Sequence, residues 1–571
     1  MTIFPQYDKI PIQMKISGAQ ALIESLKKEG VEIVFGYPGG TVLPIYDVLY
    51  GEKAIKHILP RHEQGSTHAA DGYARVTGKV GVCIATSGPG ATNTITGIAT
   101  AFMDSIPMVI ITGQVATPLI GRDSFQEADI TGITQPITKH NYLVKTAEEI
   151  PRVIKEAFYI ASTGRPGPVV VDIAKDAQVN KFDFKYPDKV NLPGYKPTLK
   201  GDPEQVKAAA KLIAESKKPL IYAGGGVIAS GAAAELTEFA RKLNTPVTTT
   251  LMGLGAFPET DKLALQMLGM HGTAFANYAV QECDLLIAVG ARFDDRVTGH
   301  LPSFAPKAKH IQIDIDPAEI GKNVRIDVPI VGDVKQTLKE LNALIPVKAG
   351  RHLAWLKQIE EWKNKFPLSY KKNNFIKPQY VIEMIDEVTK GEAIICTEVG
   401  QHQMWAAQFF KFTKPRTWVS SGGLGTMGYG FPASIGAQFG RPDSTVFNIA
   451  GDGSIQMNIQ ELATAVIHKL PIKIVVLNNS FLGMVRQWQE LIYEKRYSST
   501  NLCNNPDLVK IAEAYGAKAM RITDQTKVKA ALEEAMKITD GPVLLDFSVD
   551  KEENVLPFVP PGQALNEMII D

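Results

Sequence analysis

Val446-Phe447-Asn448-Ile449-Ala450-Gly451-Asp452-Gly453, followed after 24 intervening residues by Asn478-Asn479, is the stretch on which the reading of this sequence turns. A short β-branched run, 446–449, ends in a Gly-Asp-Gly turn, and a second, 473–477, ends in the paired asparagines. Short apolar runs closing on Gly or Asn read as buried strands. Two such strands lying parallel would bring the Asp452 carboxylate and the Asn479 amide to one sheet edge, where α/β folds hold their ligands. Hard oxygen donors, with phosphate, water and a backbone carbonyl completing the shell, suit Mg²⁺. The flanking glycines let phosphate oxygens approach the backbone. A Gly-Asp-Gly triplet taken alone is more often an ordinary turn.

Working outward, the same kind of run recurs at 31–35, 80–86, 108–112, 221–224, 285–289 and 543–547, alternating with amphipathic stretches. That alternation predicts an α/β fold of doubly wound parallel sheets. Pro- and Lys-containing stretches at 185–200 and 349–378 interrupt it and divide the chain into three domains, 1–185, 200–348 and 374–571. Gly167-Pro168-Val169-Val170-Val171-Asp172 resembles Gly541-Pro542-Val543-Leu544-Leu545-Asp546, which suggests that the outer two domains are related. Chance similarity of two buried strands is the competing account. The 571 residues, 45% hydrophobic and 21% charged, have enough apolar material for several cores and exclude a small module or a disordered chain. With 61 basic and 60 acidic residues the net charge is +1, so nothing electrostatic points to nucleic acid or a membrane surface. Cys83, Cys283, Cys396 and Cys503 lie too far apart for a zinc spacing or a disulfide framework and fit a reducing compartment. Residues 1–14 lack the basic-then-apolar pattern of a secretory signal, and no apolar run could span a bilayer. The expectation is a soluble intracellular protein, cytoplasmic or, if plastid-encoded, stromal.

The Asp452…Asn479 pattern resembles the diphosphate-anchoring motif of thiamine diphosphate (ThDP) enzymes. The resemblance implies that Asp452 and Asn479 ligate Mg²⁺, with the carbonyl of Phe481 as third protein ligand. Such enzymes also carry a glutamate in the other sheet domain, and Arg61-His62-Glu63-Gln64-Gly65, after the strand-like 57–59, provides one. A carboxyl group beside N1′ of the aminopyrimidine favours the imino tautomer, whose N4′ removes the C2 proton. By itself Glu63 equally fits a first-turn glutamate favoured by the helix dipole; the motif in the third domain favours catalysis.

Further motifs, Phe35-Gly36-Tyr37-Pro38-Gly39-Gly40, Ser87-Gly88-Pro89-Gly90-Ala91-Thr92-Asn93, Val399-Gly400-Gln401-His402-Gln403 and Gly422-Gly423-Leu424-Gly425-Thr426-Met427-Gly428, resemble the large catalytic subunits of acetohydroxyacid (acetolactate) synthases. The resemblance runs over nearly the whole chain and includes 554–557 and 559–562, similar to the segment that closes the active site in that family. It implies that Gly40, Val399, Gly400, Gln401 and His402 contact ThDP, as do Gly425, Asp452, Gly453, Ser454, Asn479 and Met484, with Met427 beneath the thiazolium. Met427 in isolation fits a core gap-filler as well.

In the middle segment, strand ends bearing Gly, Arg and Asp suit a dinucleotide, with amides and Arg on the pyrophosphate and carboxylates on ribose hydroxyls. A surface Arg/Asp network is the bland alternative. The run Arg292-Phe293-Asp294-Asp295-Arg296 resembles the family's FAD signature and separates the chain from flavin-free catabolic acetolactate synthases. The FAD contacts so implied are Arg165, Gly225, Gly226, Met270, His271, Gly272 and Thr273, then Arg292, Asp294, Arg296, Asp314, Ile315 and Asp333. In the family FAD is structural and does no net redox chemistry.

The activity implied is decarboxylation of pyruvate and transfer of the remaining two-carbon unit to pyruvate or 2-ketobutyrate, giving 2-acetolactate or 2-aceto-2-hydroxybutyrate for branched-chain amino-acid biosynthesis. An FAD-dependent pyruvate oxidase and a flavin-free catabolic acetolactate synthase are the alternatives. Phe125, Gln126 and Lys175 resemble residues of the substrate channel, and Val485 and Trp488 those of the acceptor pocket; a lone Trp is more usually core. Thr41, Ala116 and Ser124 depart from the common channel pattern, which leads us to expect an atypical response to sulfonylurea-type inhibitors, and Glu398 stands where Asp is commoner. The resemblance implies a homodimer or homotetramer with active sites between subunits and leaves room for a separate small regulatory subunit.

Overall fold

The structure, a computed structural model, describes residues 15–346 and 351–570. The leader reading at 1–14, the start of the second connection at 349–350 and the domain limits at 347–348 and 571 lie outside the described residues. Three six-stranded sheets form the molecule, and every strand pair within them is parallel. In the first, the strands in chain order are Ile33–Gly36, Lys56–Ile58, Gly81–Ala85, Met108–Gln114, His140–Val144 and Pro168–Ala174, and they stand side by side as 2-1-3-4-6-5. In the third, Ile394–Thr397, Trp418–Val419, Val446–Gly451, Lys473–Asn478, Lys518–Ile522 and Val543–Ser548 take the same 2-1-3-4-6-5 order. Pro168–Ala174 and Val543–Ser548, the two runs matched in the sequence, are both sixth strands inserted between the fourth and fifth. The outer domains are therefore alike in topology as well as in that one strand.

The middle sheet differs. Pro219–Ala223, Val247–Thr249, Ala264–Met267, Leu285–Val289, Lys309–Asp314 and Val328–Val331 lie in the order 3-2-1-4-5-6, that of dinucleotide-binding folds. Strands are buried on both faces, as parallel sheets require: all seven residues of Met108–Gln114 and of Pro168–Ala174 are inaccessible.

The stretch 185–200 carries no helix or strand, whereas the second holds the helix Leu353–Lys365. Its Trp355 is buried against the middle domain and donates its indole N–H to the Pro219 carbonyl at 3.0 Å. An antiparallel pair, Lys15–Ser17 with Lys181–Asp183, staples the two ends of the first domain; strands of three residues leave no periodicity to read.

The first and third domains meet along two helices, Glu63–Thr77 and Gly430–Gly440. Backbone approaches backbone there: a Cβ added at Gly436 would lie 1.8 Å from the Ala69 carbonyl oxygen, and one at Gly72 2.1 Å from that of Ala433. Beside this contact, buried Arg75 pairs with Asp71 at 2.6 Å and Asp104 at 2.8 Å. Asp104 in turn accepts from the amides of Gly422 and Gly423, and Asp71 accepts from the Tyr429 hydroxyl. Each buried charge thus has several partners, the condition under which a buried ion pair is tolerable. Among the described residues no helix is long and apolar enough to cross a membrane.

Candidate active site

In the third domain the strands Val446–Gly451 and Lys473–Asn478 are neighbours, with Gly451 opposite Leu477, so Asp452 and Asn479 emerge together at the carboxyl edge. Asp452 is buried, and burial pushes its carboxyl up to about 7. Oδ2 accepts from Asn505 at 2.9 Å, while Oδ1 is buried with no partner. Such an orphan oxygen is costly unless something cationic occupies the space beside it. Asn479 donates from Nδ2 to Gln401 at 3.2 Å, and its Oδ1 accepts from the Phe481 amide at 3.1 Å. Among the described residues no three His, Cys, Asp or Glu side chains cluster to hold a metal. A cation at Asp452 would therefore rely on one carboxylate with amide, carbonyl, phosphate and water oxygens, a donor set that fits Mg²⁺.

His402 lies across the glycines of both turns. A Cβ at Gly400 or at Gly451 would come within 2.8 Å of its ring. Burial pulls its pKa down to about 3, so the imidazole stays neutral, and Nε2 is without a partner. Gly453 is packed under Leu482, Ser454 closes the turn onto Gly451, and Gln401 bridges Gln487 and the Glu553 carbonyl. Val399 and Gly400 are half-buried beside them. The loop carrying Gly425 and Met427 is held from several sides. Buried Glu398 accepts from the amides of Gly428 and Phe431, both at 2.8 Å, and Thr426 shares a 2.7 Å hydrogen bond with Thr100. Met427 is half-buried and belongs to no core cluster, unlike a gap-filler.

In the first domain Glu63 opens the helix Glu63–Thr77, whose N-cap is His62. Its Oε2 accepts from Asn93 at 3.0 Å, and Oε1 lies beside Gly90. Glu461 of the third domain fixes the turn just before it by accepting the Arg61 amide. Gly40 faces open space, with nothing within 4 Å of an added Cβ. Thr41, one of the atypical channel residues, is buried and binds the Thr86 hydroxyl at 3.0 Å and the Ser87 amide at 3.0 Å. Phe125 is 87% exposed, Gln126 packs its backbone on Gly88, and Lys175 is exposed at the start of Lys175–Val179. These three lie at the carboxyl edge of the first sheet.

Met484, Val485 and Trp488 line a cavity of about 680 Å³ on the helix Gly483–Leu491, with Tyr493 and Arg496. Trp488 is half-buried, edge-on to Phe558 at 6.1 Å with Arg296 over its ring at 5.9 Å, so it is pocket wall and not core. The segment 554–562 runs between this helix and the middle domain: Gln487 pairs twice with Val555, Arg486 holds Asn554 at 2.6 Å, and Val559 bonds to the Met270 carbonyl.

The middle sheet's order reverses between Pro219–Ala223 and Leu285–Val289, and Gly224, Gly226 and Gly290 meet there. A Cβ at Gly224 would sit 2.2 Å from the Gly290 oxygen, and one at Gly226 2.7 Å from the Gly290 Cα, so backbone contact alone demands these glycines. Gly225 is less confined. Buried Thr249, Thr250 and Thr298 hydroxyls and His271 Nδ1 lack partners. Arg165 reaches across from the first domain to Asp316 at 3.2 Å and Glu319 at 2.8 Å, beside Asp314 and Ile315. Burial raises Asp314 to about 6. Thr273, Asp294 and Asp333 cap helices, with Arg296 inside the short helix Asp295–Thr298 and Gly272 just before the Thr273 cap, and Arg292 is half-buried near Asp294. The crevice, its unsatisfied hydroxyls and the arginines fit a dinucleotide such as FAD.

Sequence reasoning missed Asn505, Asp104, Glu461 and Arg486. The first three sit in no motif. Arg486, a charge on the buried side of a short helix, carried a faint signal.

Two related sheet domains, one presenting Glu63 and the other the Asp452–Asn479 edge, define a thiamine diphosphate enzyme. Family models agree: thiamine pyrophosphate enzyme N-terminal TPP binding domain at residues 16–133, central domain at 206–341 and C-terminal TPP binding domain at 398–547. The chain is 52% identical to the acetolactate synthase large subunit of Haemophilus influenzae over 564 residues, 97% of this chain and 98% of that one. It is 52% identical to that of Corynebacterium glutamicum over 567 residues (97% and 90%). A probable acetolactate synthase large subunit of Methanocaldococcus jannaschii is 54% identical over 565 residues (97% and 95%). The chain belongs to the acetolactate synthase large-subunit family.

Proposed function

We propose that this chain is the catalytic subunit of an acetolactate synthase: it decarboxylates pyruvate and joins the two-carbon unit to pyruvate or 2-ketobutyrate. The unpartnered, buried Asp452 Oδ1 beside Asn479 is the observation that carries this reading, because it calls for a cation exactly where the family's motif requires one. Asp452, Asn479 and the Phe481 carbonyl would hold Mg²⁺, and neutral His402 would donate to the diphosphate. Glu63 would hold a proton at N1′ of the pyrimidine, and Met427 would support the thiazolium. When bound, ThDP supplies an electron sink for decarboxylation. Phe125, Gln126 and Lys175 would orient the 2-keto acid carboxylate, and Val485 and Trp488 would select the acceptor.

FAD would lie in the middle crevice, with Arg165 and Arg292 at its phosphates and Gly225 near the flavin end, as a structural group. Each site is proposed to combine Glu63 of one subunit with the Asp452 edge of another, in a homodimer or homotetramer. Among the described residues, the side chains that donate to the two carboxylates, Asn93 to Glu63 and Asn505 to Asp452, each come from the carboxylate's own domain. Regulation by a separate small subunit, and a cytoplasmic location, belong to the same proposal.

The test is product analysis of purified protein with pyruvate and 2-ketobutyrate, with each cofactor omitted in turn. Acetohydroxyacids that depend on ThDP and Mg²⁺ support the reading. Acetaldehyde alone, or anaerobic bleaching of the flavin by pyruvate, would replace it with a decarboxylase or an oxidase.

A further inference from the structure

The matched strands Pro168–Ala174 and Val543–Ser548 each end their common motif on an aspartate, and the reading above gives neither a role. Both are buried, Asp172 at 1% exposure and Asp546 at 0%. Each reaches across to the fourth strand of its own sheet in the same way. Asp172 stands opposite Thr112 and accepts from the amide of Gln114, two residues on, at 3.0 Å. Asp546 stands opposite Val476 and accepts from the amide of Asn478, again two residues on, at 3.0 Å. The second carboxylate oxygen is held by the Thr112 hydroxyl at 2.7 Å in one copy and by Arg521 Nε at 2.9 Å in the other.

An ionised carboxylate accepts and cannot donate, so in that state it fixes which end of the facing amide is NH₂. The amide oxygen is thereby turned the other way, onto the loop. In the third domain Asn478 Oδ1 accepts from the Ser480 amide at 3.2 Å, in the turn that carries Asn479 and Phe481. In the first domain Gln114 Oε1 accepts from the Val115 amide at 2.9 Å, and its Nε2 also donates to the Ala128 carbonyl, spanning the loop that carries Phe125 and Gln126.

We propose that Asp546 and Asp172 are two copies of one positioning device, the first shaping the Mg²⁺-binding turn and the second the 2-keto acid channel loop. This rests on the assignment of Mg²⁺ and substrate made above. The holoenzyme is tested with Asp546→Asn and Asp172→Asn, titrating Mg²⁺ at saturating ThDP by tryptophan fluorescence and measuring KM for pyruvate at saturating Mg²⁺. Partners behind metal ligands typically change affinity by ~10–100-fold. Asp546→Asn should raise the Mg²⁺ half-saturation by about tenfold or more and leave KM for pyruvate unchanged. Asp172→Asn should do the reverse. Adding Asn478→Asp to Asp546→Asn reverses the pair while keeping an acceptor for Ser480, and should restore Mg²⁺ affinity. If Asp546→Asn fails to fold, Asn478→Leu, which leaves Asp546 with Arg521, should give the same Mg²⁺ shift. Wild-type Mg²⁺ binding in both third-domain variants, or Mg²⁺ and pyruvate constants moving together in either aspartate variant, overturns the proposal. A parent enzyme that binds ThDP without Mg²⁺ would instead overturn the functional reading beneath it.

Discussion

Gly436→Ala probes the contact that unites the first and third domains. The added Cβ would lie 1.8 Å from the Ala69 carbonyl oxygen and 2.6 Å from its carbon, both backbone atoms that no rotamer change can move. Real Cβ contacts stay beyond 3.0 Å, so the helices must part by about 1.2 Å. Three interdomain hydrogen bonds would stretch with them: Tyr429 to Asp71 at 2.5 Å, Thr426 to Thr100 at 2.7 Å and Gly423 to Asp104 at 2.7 Å. Overpacking costs ~1–3 kcal/mol and each of the three weakened buried bonds about 1 kcal/mol, so a total of ~4–6 kcal/mol is expected. For domains of this size that is a fall in Tm of roughly 8–24 °C. Because the same bonds flank Met427, and a 1 Å misplacement can cost ~10²-fold, kcat should fall by about 10–100-fold. Differential scanning calorimetry and steady-state kinetics measure both, with Gly541→Ala, where nothing lies within 4 Å, as control. A Tm and kcat matching the control would refute the claim that this contact positions the loop.

Glu63→Gln should lower turnover by ~10²–10⁴-fold with ThDP binding retained by calorimetry; near-normal turnover would remove Glu63 from the mechanism. Trp488→Leu should lower the share of 2-aceto-2-hydroxybutyrate formed from mixed substrates, and an unchanged product ratio would take Trp488 out of acceptor selection. Arg165→Met should yield protein with less bound flavin, read from visible absorbance after purification, unless FAD binds elsewhere. Burial raises Glu398 from its ordinary 4.5 to about 7, so the folded chain loses stability from this group as pH rises through that window. Glu398→Gln carries no such charge, and its urea midpoint relative to the parent should climb between about pH 4.5 and 7 and then level off. A pH-independent difference would place the carboxyl at its ordinary value. Inhibition by a sulfonylurea at the potency seen with a plant enzyme would contradict the reading of Thr41, Ala116 and Ser124.

What could be read in advance was whatever repeats locally. The strand at 285–289 is found at the expected residues, and most others agree within two or three, because buried parallel strands are continuous apolar runs. Asp452 and Asn479 were legible since the two strands that present them each end in a short, distinctive turn. Asp104 was not: it ends the helix Ile95–Asp104 with no pattern around it and gains its partners, Arg75, Gly422 and Gly423, only when distant segments pack. Asn505 and Glu461 were hidden for the same reason. The motif shared by Pro168–Ala174 and Val543–Ser548 was visible as a likeness, but its aspartates acquire meaning only through the register of the neighbouring strand.

The unlike strand order of the middle sheet bears on how so long a chain reaches its native state. Tandem domains of kindred sequence and topology are prone to exchange strands while still partly folded, and slow, non-local parallel pairing lengthens the time in which they can do so. Here the two kindred sheets are never adjacent along the polypeptide. A sixth strand such as Val543–Ser548 could compete for the place of Pro168–Ala174 only by reaching past an entire domain whose own strands are arranged differently, so the ordering of domains itself guards against misassembly.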